Sequence, residues 1–284
     1  LCRPGKISIY YFVGTIVVIA ALSTVQILSC SPDGVAHVLL GAFLYYILVN
    51  VILRFLADGY DYRQIAVNSA FLGYVFSSGL IIVCLSPVQW KPFGIYAIIM
   101  SSFHYTEFLG IAWSNPKSLS IDSFILYHSQ HYVIAAMLSW FEFTVEVLLF
   151  TNLKTHYIFW IFGGLMCLSG ETLRKLAMIT AKTNFNHLVQ SSKAEDHELI
   201  THGIYSLMRH PSYVGWFWWS IGTQIVLCNP ICIVLYTIAS WKFFKERIFF
   251  EEETLLNFFG VDYYEYQKKV STGLPFIYGY QLDT

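Results

Sequence analysis

The stretch Asn229-Pro-Ile-Cys-Ile-Val-Leu-Tyr-Thr-Ile-Ala-Ser-Trp-Lys-Phe-Phe-Lys-Glu-Arg-Ile-Phe-Phe-Glu-Glu-Glu-Thr-Leu-Leu256 has two characters in one run. Its first half is apolar enough for lipid. From Lys242 onward it is crowded with charge, yet no Gly or Pro interrupts it after Pro230. The sequence therefore predicts one helix that leaves a membrane and continues into water. Asn229-Pro230 is a turn signal, so this run and the apolar run before it form a helical hairpin. Gly260 ends the long helix. Asp262 then caps a short amphipathic helix through about Val270, which Gly273 and Pro275 close.

The rest of the chain has the same apolar character. Apolar residues make up 56% of the 284 residues and charged residues 12%, with mean hydropathy +0.55. A water-soluble domain carries about 25% charge. Runs near the roughly 20 residues that a span needs fall at 9–29, 35–57, 69–86, 92–114, 132–150, 157–176, 212–228 and 230–248. The expected fold is all-α: one polytopic integral membrane domain of about eight transmembrane helices, with a cytosol-facing pocket. The first run lacks a small-residue cleavage site after it and reads as a retained anchor. Eight spans put both termini on one side. Fifteen Lys and Arg fall on that side, and only Lys91 and Lys154 on the other. The positive-inside rule makes that side, with the 177–211 loop, cytosolic. Net charge of −1 offers no basic field for nucleic acid. The six cysteines, Cys30 among them, form no C-x-x-C pair and read as small buried residues.

Charge divides the domain. Residues 174–211 and 242–271 hold 19 of the 35 charged side chains. Residues 1–156 are thus mainly scaffold, and chemistry belongs to 157–284. One polar, turn-rich stretch stands out, Glu198-Leu-Ile-Thr-His-Gly-Ile-Tyr-Ser-Leu-Met-Arg-His-Pro-Ser-Tyr-Val-Gly215. The turn at Thr201-His202-Gly203 and the helix start at Pro211 offer free backbone N–H groups for an anion or a zwitterion. Arg209 and His210 equally suit a membrane-edge anchor. Arg247 and Glu251 are i, i+4 on the long helix and share a face. An exposed pair of that kind is worth little, but charge at membrane depth marks a functional candidate. Glu171 can pair with Lys175 in the same way. Glu107, Glu142 and Glu146 lie in or at the ends of spans; Glu142 and Glu146 share a face and fit either a polar cavity or a transporter's proton path. His128 and His131 give one H-x-x-H, too few for a membrane di-iron centre, so no metal is expected.

Taken together, Arg209-His-Pro-Ser-Tyr-Val-Gly215, Arg247-x-x-x-Glu251-Glu-x-x-Leu255, Phe259-Gly260, Tyr263-x-x-Tyr266 and Leu274-Pro-Phe-Ile277 resemble the eukaryotic isoprenylcysteine carboxyl methyltransferases. The motifs cover the second half, and the eight-span layout extends the likeness over the chain. The resemblance implies an S-adenosylmethionine-dependent enzyme of the endoplasmic reticulum membrane. It would esterify the C-terminal carboxylate of prenylated cysteine on processed CaaX proteins such as small GTPases. It also implies cofactor contacts at Gln190, His197, Glu198, Leu199, Ile200, Tyr205, His210, Pro211, Ser212, Tyr213 and Glu251. Arg247 would meet the substrate carboxylate, and with Glu251 it would make up the catalytic pair.

The residue types suit that chemistry. An α-carboxyl has a pKa of roughly 3.3–3.7, so the nucleophile is ionised at neutral pH without a general base. Orientation and loss of water are what remain to be supplied. Arg247 offers a planar fork for the carboxylate, and Tyr205 or Tyr213 offers an aromatic face for a sulfonium. Two rivals compete. A membrane sterol reductase using NADPH has a related signature but needs a basic site, where this loop has Glu195, Asp196 and Glu198. A transporter using Glu142 and Glu146 leaves the Arg/His/Glu block unexplained.

Overall fold

The computed structural model describes residues 1–28, 34–56, 60–127, 129–190, 192–193 and 197–281. Cys30, His128, Glu195 and Asp196 lie outside the described residues. Among these residues the chain is all-helical. Its long helices are α1 (Arg3–Leu28), α2 (Gly34–Leu56), α3 (Tyr60–Leu85), α4 (Lys91–Ser114), α5 (Gln130–Leu149), α6 (Tyr157–Ala181), α7 (Pro211–Leu227) and α8 (Pro230–Phe259), followed by the short α9 (Val261–Lys269).

A helix stands at each of the eight expected spans. Four of them, α1, α2, α3 and α5, are long and apolar enough to cross a membrane by length and composition. The others fall short for visible reasons. Helix α4 carries His104 and Glu107, α6 carries Glu171, Arg174 and Lys175, α7 has only 17 residues, and α8 turns charged at Lys242. Large apolar side chains point outward along α2, α5 and α6, among them Phe55, Phe141 and Phe162. Contiguous exposed apolar surface of this kind suits lipid rather than water.

Helix α8 runs unbroken for 30 residues, as its sequence predicts, and Gly260 ends it at φ +53°. There L side chains are disfavoured and Gly is not. The expected Asp262 cap is corrected: α9 starts at Val261, and Asp262 lies inside its first turn. An acidic group there still complements the helix dipole.

Two devices set the position of α7. A Cβ on Gly170 of α6 would collide with the Gly215 carbonyl of α7, and the reverse also holds. Only glycines let the two backbones approach so closely, the small-residue packing familiar from membrane helices. At its far end, α7 stops at Cys228 in the left-handed region. Buried Lys154 donates there to the Leu227 and Cys228 carbonyls (2.8 and 3.0 Å) and to Asn229 Oδ1 (2.9 Å). Glu146 pairs with the same ammonium at 2.5 Å. One turn earlier on α5, Glu142 accepts from the Ile231 and Cys232 amides, both at 2.7 Å. A cation thus meets the C-terminus of α7 and an anion the N-terminus of α8, the favourable sign at each end. Both carboxylates that a transporter would need are engaged in holding the hairpin.

Candidate active site

The stripe Phe244, Ile248, Glu252 and Leu256 is the buried face of α8. Glu252 is fully buried among apolar neighbours and makes up for it with five hydrogen bonds. Arg209 donates through Nε (2.7 Å) and Nη2 (3.3 Å), His210 through Nε2 (2.8 Å), Gln267 through Nε2 (2.9 Å) and Tyr280 through its amide (3.0 Å). Burial alone would raise its pKa. The His210 bond and charge, then the Arg209 pair, outweigh burial and hold it at about 2. Arg209 also donates to the Gln267, Val270 and Tyr278 carbonyls, and its amide reaches Ser271 O. One carboxylate therefore ties α8, the loop before α7, α9 and the C-terminal segment together.

Arg247 and Glu251 border this stripe on the side of α7. They do not bond each other directly, as the i, i+4 reading suggests. The Tyr213 hydroxyl stands between them, accepting from Arg247 Nε (2.9 Å) and donating to Glu251 Oε2. Arg247 Nη2 donates to the His187 carbonyl (2.5 Å). Among the described residues, Arg247 Nη1 makes no hydrogen bond. The His210 ring lies parallel to Tyr213 at 5.6 Å, so His210 is a buried structural partner and not an interfacial anchor.

A second buried carboxylate lies underneath. Glu107 of α4 takes Arg174 through two bonds (2.7 and 2.6 Å), Lys175 at 2.5 Å and His187 at 3.0 Å. The expected Glu171–Lys175 pair gives way to this cluster, and Glu171 accepts from Thr106 instead. Arg174 also donates to Ser212 Oγ (2.6 Å) and lies over the Trp216 ring at 4.6 Å. His187 thus links the cluster to the site, its ring on Glu107 and its carbonyl on Arg247.

The structure groups most of the residues named from sequence. Tyr205, His210, Pro211, Ser212, Tyr213, Arg247 and Glu251 line one cavity of about 90 Å³, with Arg174, His187 and Trp216. Gln190, His197 and Glu251 line an adjoining one of similar size, walled by Leu188, Val189, Leu255 and Phe258. Asn184, Asn186 and Glu251 belong to both. Leu199, Ile200 and Glu198 line neither. Leu199 packs with Leu256, Tyr263 and Tyr266, Ile200 packs with Met178 and Phe185, and the Glu198 amide bonds Asn184 Oδ1. Burial, then the Glu251 charge, push Tyr205 upward, so it stays a neutral phenol. Sequence reasoning noted Glu107 only as a carboxylate in a span, and gave Arg174, His187, Trp216 and Glu252 no place in the site. Glu252 alone had a local signal, a charge in an apolar i, i+4 stripe.

Comparison with known proteins now decides the family. A model of the isoprenylcysteine carboxyl methyltransferase family matches residues 160–257. Protein-S-isoprenylcysteine O-methyltransferase of Xenopus laevis is 48% identical, the match covering 100% of this chain and 98% of that protein. The chain belongs to the isoprenylcysteine carboxyl methyltransferase family. The Tribolium castaneum protein of the same name is also 48% identical, over 99% of this chain and 100% of its own length. The Homo sapiens protein is 50% identical over 86% and 85%. A solved structure of a eukaryotic intramembrane Ras methyltransferase, isoprenylcysteine carboxyl methyltransferase, superimposes with a TM-score of 0.95 at 47% identity, covering 99% of this chain and 100% of that one. Membership in this family makes the chain a membrane methyltransferase enzyme.

Proposed function

We propose that this methyltransferase esterifies the C-terminal carboxylate of prenylated cysteine on processed CaaX proteins such as small GTPases, with S-adenosylmethionine as donor. One observation supports this most directly: a guanidinium fixed on two sides by Tyr213 and His187 keeps Nη1 for a ligand at the mouth of the cavity. A carboxylate bound there keeps a lone pair free. The tyrosine and tryptophan rings that line the cavity make it less polar than bulk water, which strengthens charge interactions there.

The donor set suits the cofactor. Glu251 is a partly exposed carboxylate beside the aromatic faces of Tyr205 and Tyr213, which fits a cation. The adjoining cavity has Gln190 and an apolar wall, which fits a flat heterocycle with a polar edge. Gln190, His197, Tyr205, His210, Pro211, Ser212, Tyr213 and Glu251 would hold the group, with Glu198, Leu199 and Ile200 shaping the segment behind them. When bound, S-adenosylmethionine would supply the methyl as a sulfonium. Arg247 orients the acceptor carboxylate, and Glu251, through the Tyr213 hydroxyl, keeps that guanidinium in register.

On this reading eight helices span the endoplasmic reticulum membrane, with both termini and the site cytosolic. The catalytic part of the single domain is 157–284. A prenyl chain gains about 0.8 kcal/mol per buried CH₂, so it arrives through lipid. The test is transfer of labelled methyl from S-adenosylmethionine to N-acetyl-S-farnesylcysteine by purified protein. Arg247→Ala should abolish turnover and leave cofactor binding intact. Wild-type turnover in that variant would end the assignment.

A further inference from the structure

A larger cavity lies beside the site and is not used by the chemistry above. It measures about 690 Å³ and sits between the start of α3, the single helical turn Ile121–Phe124 after α4, and the 186–190 segment. His187, Asn186 and Trp216 line both this space and the cavity of Arg247, so the two are continuous neighbours. Its walls are mixed: Ile121, Ile125, Leu126 and Leu188 contribute apolar surface, and polar side chains are set among them. Gln64 and Asn68 face it from α3, Ser118 and Ser120 from the segment after α4, and Asn186 and Gln190 from the other side.

Gln64 and Asn68 are i, i+4 and therefore on one face of α3. Among the described residues, neither carboxamide makes a side-chain hydrogen bond, and the same is true of Asn186. A carboxamide pairs one C=O acceptor with N–H donors. That set complements a peptide group, which offers one N–H and one C=O. These carboxamides are half-buried on the cavity wall, and with no protein partner among the described residues they are free to pair with a ligand there.

The acceptor's own chemistry says which ligand. A prenylated C-terminal cysteine carries three substituents on its Cα: the carboxylate, the thioether lipid and the amide of the preceding chain. The carboxylate is held at Arg247 and the lipid belongs in the bilayer. The preceding chain has to leave by a third route, and it is polar. We infer that the α3 cavity receives the peptide immediately upstream of the prenylated cysteine and that Gln64, Asn68 and Asn186 bond its main chain. This rests on the proposed prenylcysteine methylation and adds a subsite to it. Recognition through main-chain groups reads no side-chain sequence, so one site serves proteins with different tails.

The experiment compares two acceptors, N-acetyl-S-farnesylcysteine and S-farnesylated peptides of increasing length ending in the same residue. With wild-type enzyme, kcat/KM should rise over the first few added residues and then level off. Gln64→Leu with Asn68→Leu should lower kcat/KM for the longer peptides about tenfold, or ~1.4 kcal/mol, through KM. The short acceptor should stay within twofold, which also shows that the variant is folded. No length dependence in the wild type, or equal losses on both acceptors, would overturn the subsite. Failure of wild-type enzyme on both acceptors would remove the methylation reading and this one with it.

Discussion

Replacing Glu252 by glutamine should unfold this protein far more readily than the same change at its neighbour Glu251, although the two side chains are adjacent and chemically identical. The reason is the number of donors each one serves. Glu252 is fully buried and accepts five hydrogen bonds from four residues. A glutamine there keeps one acceptor oxygen and presents an NH₂ to groups that already donate. It also leaves the Arg209 guanidinium buried without a counter-charge. Two routes give the size of the loss. The carboxyl is held at about 2 against an ordinary 4.5. At 1.36 kcal/mol per unit, that displacement is about 3 kcal/mol of interaction. Breaking a buried pair by removing one partner costs roughly 3–5 kcal/mol. The two agree at about 3 kcal/mol, which lowers a midpoint by on the order of 6 °C or more for a chain of this length.

The assay is thermal unfolding of purified protein in detergent, read alongside methyl transfer. Glu252→Gln should shift the midpoint down by that amount. Glu251→Gln should leave the midpoint within a degree or two and lower cofactor affinity and turnover, because Glu251 faces the cavity and is already partly exposed. Equal midpoints for the two variants would refute the assignment of Glu252 as the structural carboxylate. So would a destabilised Glu251→Gln enzyme with full activity.

Three other outcomes follow from the same contacts. Tyr213→Phe removes the hydroxyl between Arg247 and Glu251 and lets the two charges pair directly; hydrogen bonds to charged groups are worth ~1.5–3 kcal/mol, so steady-state kinetics should show kcat/KM lower by about 10- to 100-fold with a near-native unfolding midpoint. Lys154→Met strands Glu146 and two α7 carbonyls and should destabilise by ~3–5 kcal/mol in thermal or denaturant unfolding, with part of the loss recovered by adding Glu146→Gln. In acid, Glu252 has a folded pKa below its ordinary value of 4.5, so its contribution is present above that value and is lost as pH falls toward about 2; an acid titration of the midpoint should show this slope in wild type and a flatter one in Glu252→Gln.

Much of this architecture was legible because lipid imposes a local rule. Apolar runs bounded by Pro87, Asn115-Pro116, Pro211 and Asn229-Pro230 have to be helices, and no breaker stops α8 before Gly260. The site was legible where its residues lie within a few positions of one another, as in the Arg209–Tyr213 run and the Arg247/Glu251 pair. What joins those runs was not. Glu107 and Arg174 are 67 residues apart and on different helices, and no periodicity connects them. Lys175 had a partner of the right spacing in Glu171 and still turned to Glu107, because a fully buried carboxylate draws every cation in reach while Glu171 has only a threonine to satisfy. His187 contributes through a backbone carbonyl, which any residue carries. Glu251, Glu252 and Glu253 look alike in sequence, and helical register separates them only once the apolar stripe through Phe244, Ile248 and Leu256 is drawn.

That register also separates charge that holds shape from charge that waits for a ligand. Glu252, the Arg174–Glu107 pair and the Lys154–Glu146 pair are buried and met by several polar partners each. A buried ion pair seldom adds net stability over an apolar core, yet these cannot be dismantled one partner at a time, so they fix geometry. Arg247 differs: two of its nitrogens are taken, and a third, facing the cavity, bonds no described residue. On the proposed reading that donor is the one an acceptor carboxylate would meet. The neighbouring pairs must be saturated for this to work, since a Glu107 or Glu252 with spare capacity would compete for the guanidinium. Removing Arg174, the main partner of Glu107, should therefore weaken the acceptor site from a distance by freeing Glu107 to draw on His187 and through it on Arg247.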